Sequence, residues 1–426
     1  MAVTLRMRGC IDKDMDGLSG LVLPAHPQPK EDEIFSSWMC RIAQANGIKL
    51  HTLEVQLWGR DKQIWTRDID RSVDDETLST IAALCGTSFE RAYETCLREL
   101  EGKLFEKLVM GNSPWILPAA TYHRTRKRPF MQFCPTCLAK DKSPYYRRSW
   151  RLALTTFCDK HNVMLHDRCP KCEAPVMFYR QELGDRWITS IQSLTLCTSC
   201  GFDLRDAKVD EVMVVDRHAL LTLRLQLRNL DLGWTFNDKQ MFQYSQLYFS
   251  VLRNLIQKMM LPWTIRRLLT VAQVKFSLPS IKGSRARGLF EFYGVFERHL
   301  LLQVATWYLM DWPVRFQGLF RANRCRYSEL VRDFKDVPYW FQSAASILEK
   351  LPLGASPEEM AAMRALLQKA TDPKYRRRLQ HLILRRLPGT AGFSSLDCFL
   401  RPFEWHSVIR PLRINRWRWP QFSPRS

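Results

Sequence analysis

The feature that most constrains this chain is a run of paired metal-ligand residues between Cys134 and Cys200. Four pairs, each with two residues between its members, follow in order: Cys134/Cys137, Cys158/His161, Cys169/Cys172 and Cys197/Cys200. Two intervening residues let one tight turn aim two side chains at a tetrahedral ion, and a second pair completes the shell. Twenty residues separate Cys137 from Cys158 and twenty-four separate Cys172 from Cys197, intervals that suit two tandem zinc ribbons. Sequential pairing, with Cys134, Cys137, Cys158 and His161 in one shell and Cys169, Cys172, Cys197 and Cys200 in the other, is favoured. A nested alternative joins Cys158, His161, Cys169 and Cys172 and leaves the outer four together. A disulfide framework is the poorer reading for a chain expected in the cytoplasm. Both shells are filled by protein ligands, so the expectation is two structural Zn2+ ions with no open position for catalysis. The other cysteines (Cys10, Cys40, Cys85, Cys96, Cys325 and Cys398) are solitary and read as buried small hydrophobes.

Charge is the second constraint. The formal net charge is +21, and a folded chain this basic usually meets a polyanion. The charge is unevenly spread. Residues 1–120 hold 14 Lys/Arg and 18 Asp/Glu, a net of −4, whereas residues 121–160 hold 10 basic residues against 2 acidic and residues 374–418 hold 11 against 2. The stretch "ATYHRTRKRPF" is a basic linker into the ligand-bearing region, and Tyr145, Tyr146, Arg147, Arg148, Trp150 and Arg151 interleave cations with rings inside the first ribbon. Such interleaving suits a phosphate backbone with exposed bases. It makes Arg124, Arg126, Lys127, Arg128, Arg147, Arg148 and Arg151 candidate nucleic-acid contacts. The alternative is that Trp150 and Leu152 pack the ribbon core while the arginines are simply solvated.

The rest of the chain reads as mainly α. Residues 1–30 form a lead-in marked by Pro24, Pro27 and Pro29. Residues 31–120 form a helical domain. Within it, residues 31–47 place Ile34, Trp38 and Ile42 on one helix face and stop at Asn-Gly, and a second short apolar segment, "LHTLEVQLWG", follows. Residues 74–101 have a helix-turn-helix-like pattern. Gly86 supplies the turn, Thr87 or Ser88 caps the second helix, and Phe89, Tyr93 and Cys96 lie on the core side. The second helix carries Glu90, Glu94 and Glu99 against Arg91 and Arg98, a balance that favours protein contact over the major groove. Residues 121–210 are the tandem zinc-ribbon region and 211–400 a helical C-terminal domain. The latter includes "RHALLTLRLQLRNL", "QLYFSVLRNLIQKMM", a long apolar helix ending before Pro313, and a capping box at Ser356 and Glu359. Residues 401–426 are a basic Trp/Arg tail that suits either a nucleic acid or the chain's own core.

No run of 18 or more apolar residues occurs, so no membrane span is expected. The first residues show no apolar block with a cleavage site, so no signal peptide is read. No phosphate-loop motif, H-E-x-x-H or G-x-S-x-G is present, and the expectation is a protein that is not an enzyme.

The segments "PKEDEIFSSWMCRIAQANG", "FCPTCLAKD" and "YYRRSWRLALTTFCDKHNVMLHDRCPKCEAPV" resemble, in order, the TniQ/TnsD proteins of transposons of the TnsABC type. The resemblance covers residues 28–205 and rests on the C-P-x-C, W-R-L-A, C-x-x-H and C-P-x-C elements. It implies a target-site selector for DNA transposition that binds DNA and recruits the AAA+ regulator TnsC (or TniB). One branch of the family reads an attachment site directly. Another, in CRISPR-associated transposons, is an adaptor on the RNA-guided Cascade ribonucleoprotein, often as a head-to-tail homodimer. The family's zinc ligands carry over onto all eight paired residues. The large charge leans the reading toward direct DNA contact, whereas the acidic first quarter leans it toward the adaptor. A zinc-ribbon transcription regulator without a transposon role is the reading from another class.

Overall fold

The helix expected at residues 31–47 forms as α1 (Phe35–Ala45) in the computed structural model of the chain. Phe35, Trp38 and Ile42 are fully buried. Asn46 and Gly47 end the helix, with Gly47 at φ 68, a conformation in which a Cβ would be strained. The acidic residues before it do more than open the helix. Glu33 is buried and receives Arg41 and the Ser37 hydroxyl. The proline lead-in is pinned to α1, since the Trp38 indole donates to the Pro27 carbonyl at 2.7 Å and Asn46 exchanges two hydrogen bonds with the Ala25 backbone. The structure describes residues 22–348 except 110, 120, 123–124, 127, 181–192, 237–241, 262–264, 282–288, 324, 333 and 335, together with 365 and 367–368.

The second apolar segment is α2 (Leu50–Trp58), followed by the single turn α3 (Ile69–Ser72). Next come α4 (Asp75–Leu84) and α5 (Phe89–Tyr93). Asp74 caps α4 by accepting from the Thr77 amide, Gly86 makes the turn at φ 60, and Ser88 caps α5 by accepting from the Arg91 amide. Two details differ from the expected helical hairpin. α5 has only five residues, and the chain passes into a 3-10 turn at Leu97–Leu100. Phe89 is 36% exposed and stacks on Tyr93, while Ala92 and Cys96 take the buried positions.

The ligand-bearing region has little regular structure. It comprises the two-residue strands β1 (Thr121–Tyr122) and β2 (Thr125–Arg126), the short helix α6 (Pro135–Lys140), and the hairpin β3 (Phe157–Cys158) with β4 (Val163–Met164). Beyond it α7 (Arg217–Arg228) precedes an antiparallel pair, β5 (Trp234–Phe236) and β6 (Phe242–Tyr244). The helices α8 (Ser245–Met260), α9 (Arg266–Lys275), α10 (Val295–Leu309), α11 (Val314–Ala322), α12 (Tyr327–Val331) and α13 (Tyr339–Ala345) follow. α10 is buried from Arg298 to Leu309 and packs on α7 and α8. The helix sits inside, so even its polar residues Arg298, His299 and Gln303 are buried, each with hydrogen-bond partners. The fold is therefore mainly α with a few short strands.

Residues through Gln317, with Tyr327–Ala345, form one compact unit, so the segments 31–120 and 121–210 and the first half of 211–400 belong together. The backbone shows how. The Ile34 amide donates to the Tyr146 carbonyl at 3.0 Å, the Leu117 amide to Arg151 at 3.0 Å, and the Ala153 amide to Trp115 at 2.7 Å. α10 adds Arg298, fully buried, which donates to the carbonyls of Tyr293 and Ala153 and to the Gln132 amide oxygen. Burial holds that guanidinium down to about 10. The second unit is Gly318–Arg326 with Ser346–Ser426, of which the end of α11 and the 3-10 turn Ser346–Leu348 are the described elements. The capping box at Ser356 and the tail 401–426 lie outside the described residues. Among the described residues no helix is long and apolar enough to cross a membrane.

Candidate metal centres and their cationic surround

The eight paired residues gather into two clusters, Cys134, Cys137, Cys158 and His161 in one and Cys169, Cys172, Cys197 and Cys200 in the other. This is the sequential grouping. Within each cluster the donor atoms all lie within 4.8 Å of one another. In the first, the Cys137 and Cys158 sulfurs are 3.6 Å apart, and His161 Nδ1 lies 3.3 to 3.7 Å from all three sulfurs. In the second, Cys169 and Cys200 are 3.7 Å apart and Cys172 and Cys197 3.6 Å. A tetrahedral ion with metal–sulfur bonds of about 2.3 Å sets its sulfurs about 3.8 Å apart, whereas a disulfide needs about 2.05 Å. The donor sets thus fit a tetrahedral metal, and the histidine offers Nδ1 rather than Nε2.

Local backbone chemistry explains the clusters. Cys134 is the N-cap of α6, its sulfur accepting from the Cys137 amide at 3.4 Å, with Pro135 in the first helical turn. The other three pairs share one knuckle. The residue after the pair is left-handed in each: Asn162 at φ 54, Glu173 at φ 58 and Gly201 at φ 68. Its amide donates back to the carbonyl of the first cysteine, at 2.8, 2.9 and 2.9 Å respectively. Cys169 and Cys197 add a matching bond from their own amides to Ala174 and Phe202. The clusters differ in exposure. All three cysteines of the first are buried, whereas Cys172 is exposed and Cys200 partly so in the second. Of the solitary cysteines, Cys40, Cys85, Cys96 and Cys325 are buried thiols, and burial pushes Cys85 and Cys96 up to about 12. Cys10 and Cys398 lie outside the described residues.

The interleaved arginines have internal partners. Arg151 has no exposed surface; its guanidinium meets Asp70 at 2.8 Å and Asp68 from both terminal nitrogens. Burial pushes the Asp70 carboxyl upward, with Arg151 opposing that shift. Arg148 is one-tenth exposed and is shared among Glu99, Asp231 and the Glu94 carbonyl. Arg147 pairs with Asp141 at 3.0 Å and stacks over Tyr145 and Trp150. Tyr146, Trp150 and Leu152 are core residues, and Tyr146 stacks on Phe178 at 4.0 Å. Inside the ribbon Tyr146 and Trp150 pack the core and the guanidiniums meet carboxylates, while Tyr145 stays part-exposed at the rim of a cleft. Arg128 lies 4.0 Å over the Phe292 ring. Arg124, Lys127 and the Arg126 side chain lie outside the described residues.

Sequence reasoning missed the carboxylates that receive these arginines and the cleft they border. That cleft, of about 770 Å³, is lined by residues that include Arg148, Lys160, Arg224 and Arg228 on one hand and Glu94 and Asp159 on the other. From α7, Arg224 and Arg228 reach Asp159, and Arg224 also bonds Asn162, so α7 holds the knuckle that carries Cys158 and His161. The only advance sign was the charge complementarity between the acidic first quarter and the basic segment that follows it.

A helical first region locked to a buried Cys3His cluster defines a helical protein organised around metal-ligand knuckles. Residues 24–165, a third of the chain, match the TniQ family model, so the chain carries a TniQ domain, which marks a transposition-associated protein. The match runs from the pinned lead-in to just past the first cluster, and the second cluster lies beyond it. A comparison with curated proteins finds no match.

Proposed function

We propose that this protein is a target-site selector for DNA transposition. It binds target DNA or a target complex, recruits an AAA+ regulator of the TnsC/TniB kind, and makes or breaks no bond itself. Both clusters hold Zn2+ as structural ions, because thiolates with one imidazole in a closed tetrahedral shell suit zinc. The observation that carries the reading is the TniQ domain itself, built as one body with the first cluster. One rigid body with two binding surfaces raises the effective concentration of the recombination machinery at one site.

A second reading is favoured by a specific observation. Arg147, Arg148 and Arg151 all have partners within the chain, so these three guanidiniums are already engaged and are not set out for a phosphate backbone. This suits an adaptor that takes its address from an RNA-guided complex. A salt series of binding by the metal-loaded protein to attachment-site and random duplexes tests both. Sequence-dependent binding that survives physiological salt identifies a direct reader. Weak, indifferent and steeply salt-dependent binding, together with capture of an RNA-guided complex, identifies the adaptor. Failure to retain an AAA+ regulator on the DNA or complex in either case overturns target selection.

A further inference from the structure

We propose that the outer face of α7 is a docking surface for an amphipathic helix of a partner protein whose apolar residues are flanked by Asp or Glu. The surface has a different footing from target selection and does not depend on it. α7 is leucine-rich on two sides. Ala219, Leu220, Leu223 and Gln226 are buried, and the helix packs on α10. At about 100° per residue, Leu221 and Leu225 straddle the line opposite Leu223, the part of a one-faced helix that should be most polar. They are 56% and 53% exposed. The chain then continues the pattern. Leu232 is 64% exposed, and Trp234 and Tyr244 stack on each other at 4.5 Å while both stay partly exposed.

Charge selects the occupant. α7 contains no acidic residue. Arg217 and His218 are exposed, and Arg228 is 65% exposed beyond its contact with Asp159. Arg217, Leu221, Leu225 and Arg228 therefore share one solvent-facing arc: a pair of apolar side chains edged by cations. An amphipathic partner helix buries leucines at i and i+4 spacing, and carboxylates beside them would answer the arginines. A second copy of α7 would set Arg217 and Arg228 against their own kind. Duplex DNA would leave the two leucines facing phosphates with nothing to gain from burial.

The test uses the full chain with its metals and a fluorescein-labelled helical peptide bearing a leucine face edged by glutamates. The same peptide with lysines replacing the glutamates is the control. Anisotropy should show saturable binding of the glutamate peptide and at least tenfold weaker binding of the lysine peptide. Leu221→Asp with Leu225→Asp, both on solvent-exposed positions, should weaken the glutamate peptide at least tenfold, and Arg217→Glu should weaken it several-fold while improving the lysine peptide. Unchanged far-UV circular dichroism and metal content confirm that the variants are folded. No saturable binding, or equal binding by wild type and the double variant, overturns the proposal. So does a wild-type dimer in sedimentation that the double variant converts to monomer, which would give the face to a second copy. Loss of duplex binding in the double variant with peptide binding intact would give it to DNA and overturn the proposal too.

Discussion

Arg151 separates the two roles an arginine in this region can have. It is buried against Asp68 and Asp70, and the Asp70 carboxylate also accepts from the Ser36 amide and hydroxyl. Removing the guanidinium strands two carboxylates in the interior. Arg151→Met should cost about 3–5 kcal/mol in urea unfolding of the metal-loaded protein and leave the salt dependence of duplex binding unchanged. A phosphate contact would do the reverse, with stability intact and the salt slope lowered by about one unit. The nature of this residue was hidden in the sequence because its partners lie more than eighty positions away. Spacing rules describe neighbours along the chain, and an arginine beside aromatic rings is equally consistent with a core and with a nucleic-acid face. His299 makes a second residue-level prediction. Its Nδ1 lies 2.9 Å from the Thr156 hydroxyl and its Nε2 2.8 Å from the Met213 carbonyl. Burial, with Arg224 adding to it, holds the imidazole down to about 4 from 6.5. A depressed histidine contributes stability that is present above 6.5 and lost as pH falls toward 4, because the unfolded chain takes up the proton first. The loss attributable to this group is on the order of 3 kcal/mol. Unfolding free energies measured across that window should therefore fall less steeply for His299→Gln than for wild type. Parallel curves would show that His299 is not the group responsible.

The elements that bear ligands were the most legible part of the sequence. Two residues between ligands demand a tight turn, and three of the four turns are the same left-handed knuckle, at Asn162, Glu173 and Gly201. Asn and Gly at two of these positions are the residues that tolerate it best; Glu173 gives no such sign, so the third knuckle was readable only from its cysteines. What spacing could not reveal is how differently the two clusters are covered. The first lies beneath α6, the β3–β4 hairpin and the arginines of α7, with only His161 part-exposed. The second has Cys172 at the surface. A chromogenic chelator should accordingly withdraw the two metals in separate phases, the second site first. Cys172→Ser should abolish the fast phase and keep the slow one. Cys137→Ser should abolish the slow phase and lower stability more, since binding energy at a buried structural site is folding energy. A single phase of two equivalents would mean that the clusters open together and that exposure does not govern release. The helix-turn-helix-like pattern is instructive in the opposite way. Its glycine turn forms, and Ser88, one of the two residues expected to cap the second helix, does so, yet local signals could not say that α5 would stop after five residues.

On the scale of the whole chain, the uneven charge has an internal explanation. The acidic first quarter and the basic segment after it face each other: Asp32, Asp68, Asp70 and Glu99 receive Ser149, Arg148 and Arg151. Taken separately, each would be left with buried, uncompensated charge. The boundary near residue 120 therefore marks a change in composition rather than a place where the structure parts. The expected consequence is that α1 to α5 depend for their folding on the first cluster, to which they contribute no ligand. The first cluster fixes α6 and the β3–β4 hairpin on either side of residues 146–153, and those residues carry the arginines and the backbone groups that bind the first region. Residues 22–120 expressed alone should consequently lack a cooperative unfolding transition, while residues 22–317 with metal should show one. Stripping the slow-phase metal from the full chain should lower the helical circular dichroism signal by more than the six residues of α6 can supply. If the 22–120 fragment instead unfolds cooperatively, and the helical signal survives complete chelation, then the carboxylates of the first region are satisfied without Arg148 and Arg151. The ion pairs would in that case join two self-sufficient domains, and the metal would organise the ribbon alone.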